Sequence, residues 1–267
     1  MVPHLIVSDL DGTLLGADHD LAELTVATLR ELAAQGHQVA LASGRHHLDM
    51  LPFRDRLGID AHIISSNGAW TLGPQGQRLR SHYLATELAQ ALIRLPRAAE
   101  VRLNLYRDDA WLIDEAAPGL LDLHDATGFE YRVEAVESML PEGIGKALYI
   151  GAPHQLAEIE EAARQMAADQ LHITYSMVNS LEIMAGGVNK GSAVQALLDD
   201  LQIPATRCLA FGDNLNDLEM LAMAGEAHVM ANAHPDLGPQ LSAARVIGHH
   251  AEAAVARHLR ERFGLDV

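Results

Sequence analysis

The chain has 267 residues, 49% hydrophobic and 21% charged, the balance of an ordinary soluble protein with room for one large domain or two modest ones. Its 36 acidic against 19 basic residues give a net charge of −17, which argues against a nucleic-acid partner, because a phosphate-binding surface needs a basic stripe. A single cysteine, Cys208, excludes an internal disulfide; no apolar run reaches membrane-span length and the N-terminus lacks a signal-peptide pattern, so a cytoplasmic protein off the membrane is expected.

Residues 5–7 are a short apolar run that reads as a buried strand. It leads into Asp9 and Asp11, followed at once by Gly12. Side chains at i and i+2 of an extended chain point the same way. Both carboxylates are therefore expected to face one spot at a strand's carboxyl end, where open α/β sheets place their ligands. Side by side they require a cation or a proton between them. A helical pattern over 21–35 closes at Gly36. A strand over 38–42 runs into Ser43-Gly44-Arg45, and a helix is expected over 47–57 with the His46-His47 pair at its start. The segment AHIISSNGA reads as a strand ending in Ser65, Ser66, Asn67 and Gly68. Strands separated by helices imply a parallel sheet with right-handed crossovers.

The pattern then changes. WTLGPQGQRLRSHYL reads as a hairpin turning at 73–76, residues 86–95 as a helix, and VRLNLYRDDAWLID as two strands around Arg107-Asp108-Asp109. KALYIGA follows as a strand, 154–169 as a helix, and LHITYSMVNSLEIMA as a strand pair. Strands joined by short turns imply an antiparallel sheet with helices on one face. From Asn189 the first pattern returns: helix NKGSAVQALLDDL, strand RCLAFGD, helix NDLEMLAMAG, strands EAHVMANA and RVIG, and a last helix over 252–263. The chain reads as α/β, a Rossmann-like parallel-sheet core (1–83 and 187–267) interrupted by an inserted α+β domain (84–186).

Asp9, Asp11, Ser43, Asn67 and Asp213 thus all fall at strand ends, Lys190 starts a helix, and GDNLND sets Asp213, Asn216 and Asp217 across a strand-to-helix turn. Alone, an Asp-x-Asp pair is usually two solvated acids, and a lone lysine is usually on the surface; the ordered combination points to chemistry. It suits phosphoryl transfer. Two unit charges about 4 Å apart repel by about 4 kcal/mol at an effective dielectric of about 20, so a site joining a carboxylate to a phosphate must cancel charge. Oxygen ligands from Asp9, Asp11 and Asp213 suit Mg²⁺ rather than zinc. Lys190 supplies a point charge, and the Ser43 hydroxyl with nearby backbone N–H groups can hold phosphate oxygens. Gly12, Ser43, Gly44, Arg45, Lys190 and Asn216 are the candidate phosphate contacts. Asp9 is expected to attack phosphorus, and Asp11 to protonate the leaving oxygen and then activate water. Tyr106 and Trp111 read as interior residues of the inserted segment, with stacking on a ligand ring the lesser role.

DLDGTLL, ASGR, NKG and GDNLND, in that order, resemble the four motifs of the haloacid dehalogenase superfamily of phosphatases, and the insertion between the second and third resembles the cap of its Cof-type branch, class IIB. The resemblance implies Asp9 as nucleophile, Asp11 as acid and base with its backbone carbonyl on Mg²⁺, Ser43 and Lys190 on phosphate, Asp213 on the metal and Asp217 supporting it. RHHLDM, NLYRDDAW, GFEYRV and VIGHH are similar to the members that hydrolyse hydroxymethylpyrimidine pyrophosphate of thiamine metabolism and accept pyridoxal phosphate, which implies those small phosphorylated partners. A broad sugar-phosphate phosphatase, or a non-catalytic phosphate-ligand sensor, are the other readings; a monomer or small homo-oligomer is expected.

Overall fold

A computed structural model describes residues 2–266. Its larger sheet has eight strands in the order β14-β13-β12-β1-β2-β3-β4-β5. These are β1 (Leu5–Ser8), β2 (Gln38–Ala42), β3 (Ala61–Ser65), β4 (Trp70–Leu72), β5 (Arg78–Ser81), β12 (Cys208–Gly212), β13 (Glu226–Val229) and β14 (Arg245–Val246). From β14 to β3 every neighbour is parallel, while β4 and β5 add an antiparallel hairpin at the edge.

The period of two along each strand sorts its side chains between two cores. Ile6, Val39, Leu41, Leu209 and Phe211 pack with helices α1 (Glu23–Ala34), α2 (His47–Leu57) and α7 (Ala254–Phe263). Leu5, Val7, Ala40, Ala42, Cys208 and Ala210 face the other way, with α5 (Lys190–Leu201) and α6 (Leu218–Met223). Burial on both faces is why these strands read as continuous apolar runs. Cys208 packs there as a small hydrophobe, its thiol pushed up to about 12 by burial.

β1 lies between β2, which follows it in the chain, and β12, whose Cys208 pairs with Leu5 across 203 positions. The chain reverses its direction of travel across the sheet there, so the carboxyl ends of β1 and β12 flank a switch-point crevice.

The smaller sheet is ordered β10-β11-β9-β6-β7-β8. Its strands are β6 (Arg102–Arg107), β7 (Trp111–Ile113), β8 (Arg132–Val133), β9 (Ile144–Ile150), β10 (Leu171–Met177) and β11 (Ser180–Ala185). One face carries α3 (Thr86–Ile93) and α4 (Pro153–Ala167) over Leu103, Leu105, Ala147, Tyr149, Leu181 and Ile183. The opposite face presents Tyr106, Leu148 and Met184, which pack with Trp70 of β4. Tyr106 and Trp111 are buried there as expected.

Some elements differ from the sequence reading. β8, within GFEYRV, was not expected, and it pairs parallel to β7 in an otherwise antiparallel sheet. The last helix starts at Ala254, because Ala253 adopts a left-handed conformation that separates it from a short 3-10 turn over His250–Glu252. The expected strand EAHVMANA stops at Val229, after which Asn232 turns back to donate to the Gly12 carbonyl at 2.8 Å.

Candidate active site

β1 ends at Ser8. Asp9 is still extended, but Leu10 is helical, Asp11 is extended again and Gly12 has φ 75°. This turn overturns the expectation that the Asp9 and Asp11 carboxylates share one spot. The helical residue between them breaks the period of two, and the side chains diverge. Gly12 is fixed by sterics as well as by φ: a Cβ there would lie 2.5 Å from Oδ2 of Asp213.

Asp9 turns toward the neighbouring strand end. Its Oδ1 accepts from Lys190 Nζ at 2.6 Å, and the same ammonium donates to Asp217 Oδ1 at 2.6 Å. Lys190 is fully buried at the start of α5, whose N-terminus is capped by the Asn189 side chain. Asp217 also accepts from the backbone N–H groups of Asp213 and Asn214, at 2.9 and 3.0 Å, and so folds the turn after β12. Asp213 accepts from the Thr13 hydroxyl at 2.8 Å.

Asp9, Asp213 and Asp217 bring carboxylate oxygens within 4.8 Å of one another. Three carboxylates against one ammonium leave an excess of negative charge in a largely buried site. Burial, then the Asp217, Asp213 and Asp11 charges, drive Asp9 well above the usual carboxylate range, with Lys190 opposing. Burial and Asp217 push Asp213 up to about 7. Lys190 is held above its usual value by Asp217 and Asp9, although burial opposes this. The oxygen-only donor set and the missing positive charge fit a hard divalent cation. The Asp11 carboxylate, which the resemblance leaves free while its backbone carbonyl meets the metal, lies outside the group.

Asp11 turns instead to Arg45. Its two oxygens accept from Arg45 Nη2 and Nε, both at 2.7 Å, a bidentate pair. Burial works to raise the Asp11 carboxyl, but the hydrogen bonds and charge of Arg45, with a share from His19, hold it well below the carboxylate range. Arg45 Nη1 donates to Asp49 at 2.9 Å. The guanidinium expected at the phosphate is therefore engaged by two carboxylates.

Ser43 is buried just beyond β2, and its Oγ accepts from the backbone N–H of Arg45 at 3.1 Å. Beyond β3, Ser66 and Asn67 both have positive φ, 47° and 55°. Such strain is found where a site holds a side chain in place. Gly68 follows at φ 100°, where a Cβ would lie 2.5 Å from the Asn189 carbonyl oxygen. Asn67 accepts from Asn216 Nδ2 at 3.1 Å and donates to Glu182. Of the expected residues, Asp9, Lys190, Asp213 and Asp217 form one cluster, Asp11 pairs with Arg45, and Asn67 joins Asn216.

The smaller sheet closes over these groups. Lys146 of β9 and Glu182 of β11, both buried on the face away from α3 and α4, pair at 2.6 Å. Lys146 also donates to the Gly44 carbonyl and lies 4.2 Å from the Tyr106 ring centroid. His46 caps α2 through the Leu48 N–H, stacks on Phe129 with centroids 5.0 Å apart, and is held to about 4 by burial. Sequence reasoning missed Asp49, Lys146 and Glu182. The signal was present for the last two, a lone charge within the apolar strands KALYI and LEIMA.

Fold and site together define a family. The chain belongs to the haloacid dehalogenase-like hydrolases, whose family model matches residues 6–259. Within that family it is a Cof-type phosphatase. It is 38% identical over 264 residues to a putative phosphatase of Haemophilus influenzae, covering 98% of this chain and 97% of that one. It is 36% identical over 251 residues to the HMP-PP phosphatase of Cronobacter sakazakii, covering 94% and 92%. The structure superposes on a haloacid dehalogenase-like hydrolase of B. subtilis with TM-score 0.85 and 25% identity, covering 96% and 99% of the two chains. Among the described residues no helix is long and apolar enough to cross a membrane.

Proposed function

We propose that this phosphatase hydrolyses small phosphorylated metabolites through a phosphoryl group carried on Asp9. The observation that carries the reading is the buried Asp9–Lys190–Asp217 arrangement beside Asp213, at the carboxyl ends of adjacent strands. Asp9, Asp213 and the Asp11 backbone carbonyl would hold Mg²⁺, supported by Asp217, and the ion would supply the positive charge the carboxylates lack. Asp9 Oδ attacks phosphorus as the bond to the leaving oxygen breaks, and Asp11, with one oxygen kept on Arg45 and the other freed from it to take up a proton, gives that proton to the leaving oxygen. Water then attacks the same phosphorus, Asp11 takes its proton, and phosphate departs with Asp9 restored. Lys190 and the Ser43 hydroxyl hold phosphate oxygens, with backbone N–H groups of the Gly12 and Gly44 turns and with Asn216. Catalysis is positioning and charge cancellation.

Residues 84–186 act as a cap that covers the leaving group and sets substrate choice. The substrate is hydroxymethylpyrimidine pyrophosphate, with pyridoxal phosphate a slower second. Supporting this are the relatives named HMP-PP phosphatase, each matched over more than nine-tenths of both chains. The test compares kcat/KM for the pyrimidine pyrophosphate, pyridoxal phosphate and several hexose phosphates, in Mg²⁺ and in EDTA. The pyrimidine should lead, and EDTA should abolish turnover of all. A lead for the hexose phosphates would leave a sugar-phosphate phosphatase, and no Mg²⁺-dependent turnover at all would leave a phosphate-ligand sensor.

A further inference from the structure

We infer that Asp49 is a positioning residue that orients the Asp11 carboxylate through Arg45, and that His124 and Thr127 complete this arrangement when their segment is seated on the core. The inference rests on the reading of Asp11 as acid and base. Asp49 is fully buried in the first turn of α2 and is used by no step of the proposed reaction. A buried carboxylate carries a desolvation cost of several kcal/mol, which an apolar side chain would avoid. Its surroundings give the reason for its presence. Arg45 divides its guanidinium, with Nε and Nη2 on Asp11 at 2.7 Å and Nη1 on Asp49 at 2.9 Å. The planar fork makes the two contacts interdependent, because turning the group toward one carboxylate turns it away from the other.

Asp49 in turn is held from the other sheet. His124 Nδ1 lies 2.8 Å from the Asp49 oxygen that faces Arg45, and the Thr127 hydroxyl donates to the other oxygen. A carboxylate only accepts, so Nδ1 carries the hydrogen. Both residues sit between β7 and β8, where the His124 ring packs 4.8 Å from Trp111. A continuous chain of contacts thus runs from this segment through Asp49 and Arg45 to Asp11. With the segment seated, Asp49 is pinned, Arg45 has one orientation, and Asp11 is aimed. With it displaced, Asp49 loses two of its three donors and is free to draw the fork away.

The consequence is selective. Asp11 transfers its proton to the leaving oxygen as the P–O bond breaks, which matters for a poor leaving group and little for a good one. The experiment measures kcat/KM on glycerol 2-phosphate and p-nitrophenyl phosphate, with a melting curve for each variant, for Asp49→Asn, Thr127→Val and Asp11→Asn. General acid–base help is worth roughly 10²–10⁴-fold, so Asp49→Asn should lose about tenfold or more on the alkyl ester but less than about threefold on the aryl ester. Thr127→Val should lose in the same sense and by less. If Asp49→Asn does not fold, Thr127→Val, which leaves Arg45 its partners, decides. Equal losses on both esters in folded variants would overturn the inference. If Asp11→Asn itself showed no dependence on the leaving group, the acid–base reading would fail instead.

Discussion

At the scale of single residues, the site is organised by charge that is buried and shared. Lys190 serves two carboxylates, and its removal strands both in a low-dielectric interior. Breaking a buried pair from one side costs about 3–5 kcal/mol, because the partner left behind keeps its desolvation penalty. Lys190→Met should therefore lower stability by that order in urea unfolding in EDTA, besides abolishing turnover. An unchanged midpoint would mean that Asp9 and Asp217 do not depend on it. The residues of this cluster were legible in the sequence because each ends a strand or opens a helix, where the backbone alone positions the side chain. The direction of Asp11 was not legible. It depends on one helical residue, Leu10, and on a partner 34 positions away in Arg45.

At the scale of elements, strands β9 and β11 each bury a single charge on the face turned to the Ser43–Arg45 turn. The Lys146–Glu182 pair links the two sheets through the Gly44 carbonyl and Asn67. Either single replacement, Lys146→Met or Glu182→Leu, should destabilise by about 3–5 kcal/mol, while the double variant should recover much of that loss. Thermal unfolding of the four proteins measures it, and additive losses would show that the two charges do not act as a pair. Most helices and strands were visible through their apolar period, since each is long enough to repeat it. The stretch holding His124 and Thr127 was not. It consists of a 3-10 helix over Pro118–His124 and the two-residue β8, which show no period and take their shape from packing under Trp111.

At the scale of the whole molecule, several histidines are folded in as neutral rings. His46, His47 and His228 are held to about 4 from an ordinary 6.5, in each case first by burial and for His228 next by the charge of His258. Below 6.5 the unfolded chain takes up protons that the folded chain refuses until about 4. The stability these groups contribute is complete above 6.5 and is lost as pH falls toward 4. Melting temperature should decline across that window, and His228→Phe, whose ring would keep the stack on Phe211, should decline less steeply. Parallel curves would remove His228 from the account. On the proposed function the two sheets divide the work, so exchanging residues 84–186 for those of another Cof-type enzyme should move substrate preference and leave Mg²⁺ dependence in place.

The central claim is that Asp9 carries the phosphoryl group. The most direct measurement is acid quench of Asp11→Asn during reaction with p-nitrophenyl phosphate and Mg²⁺, followed by peptide mass spectrometry. On the proposed mechanism this variant, lacking the acid and base, should still be phosphorylated by a good leaving group but hydrolyse the product slowly. The account predicts one phosphoryl group, on the peptide containing Asp9, and none on Asp9→Asn treated in the same way. Phosphate on another residue, or turnover by Asp9→Asn free of wild-type enzyme and of deamidation, would contradict it.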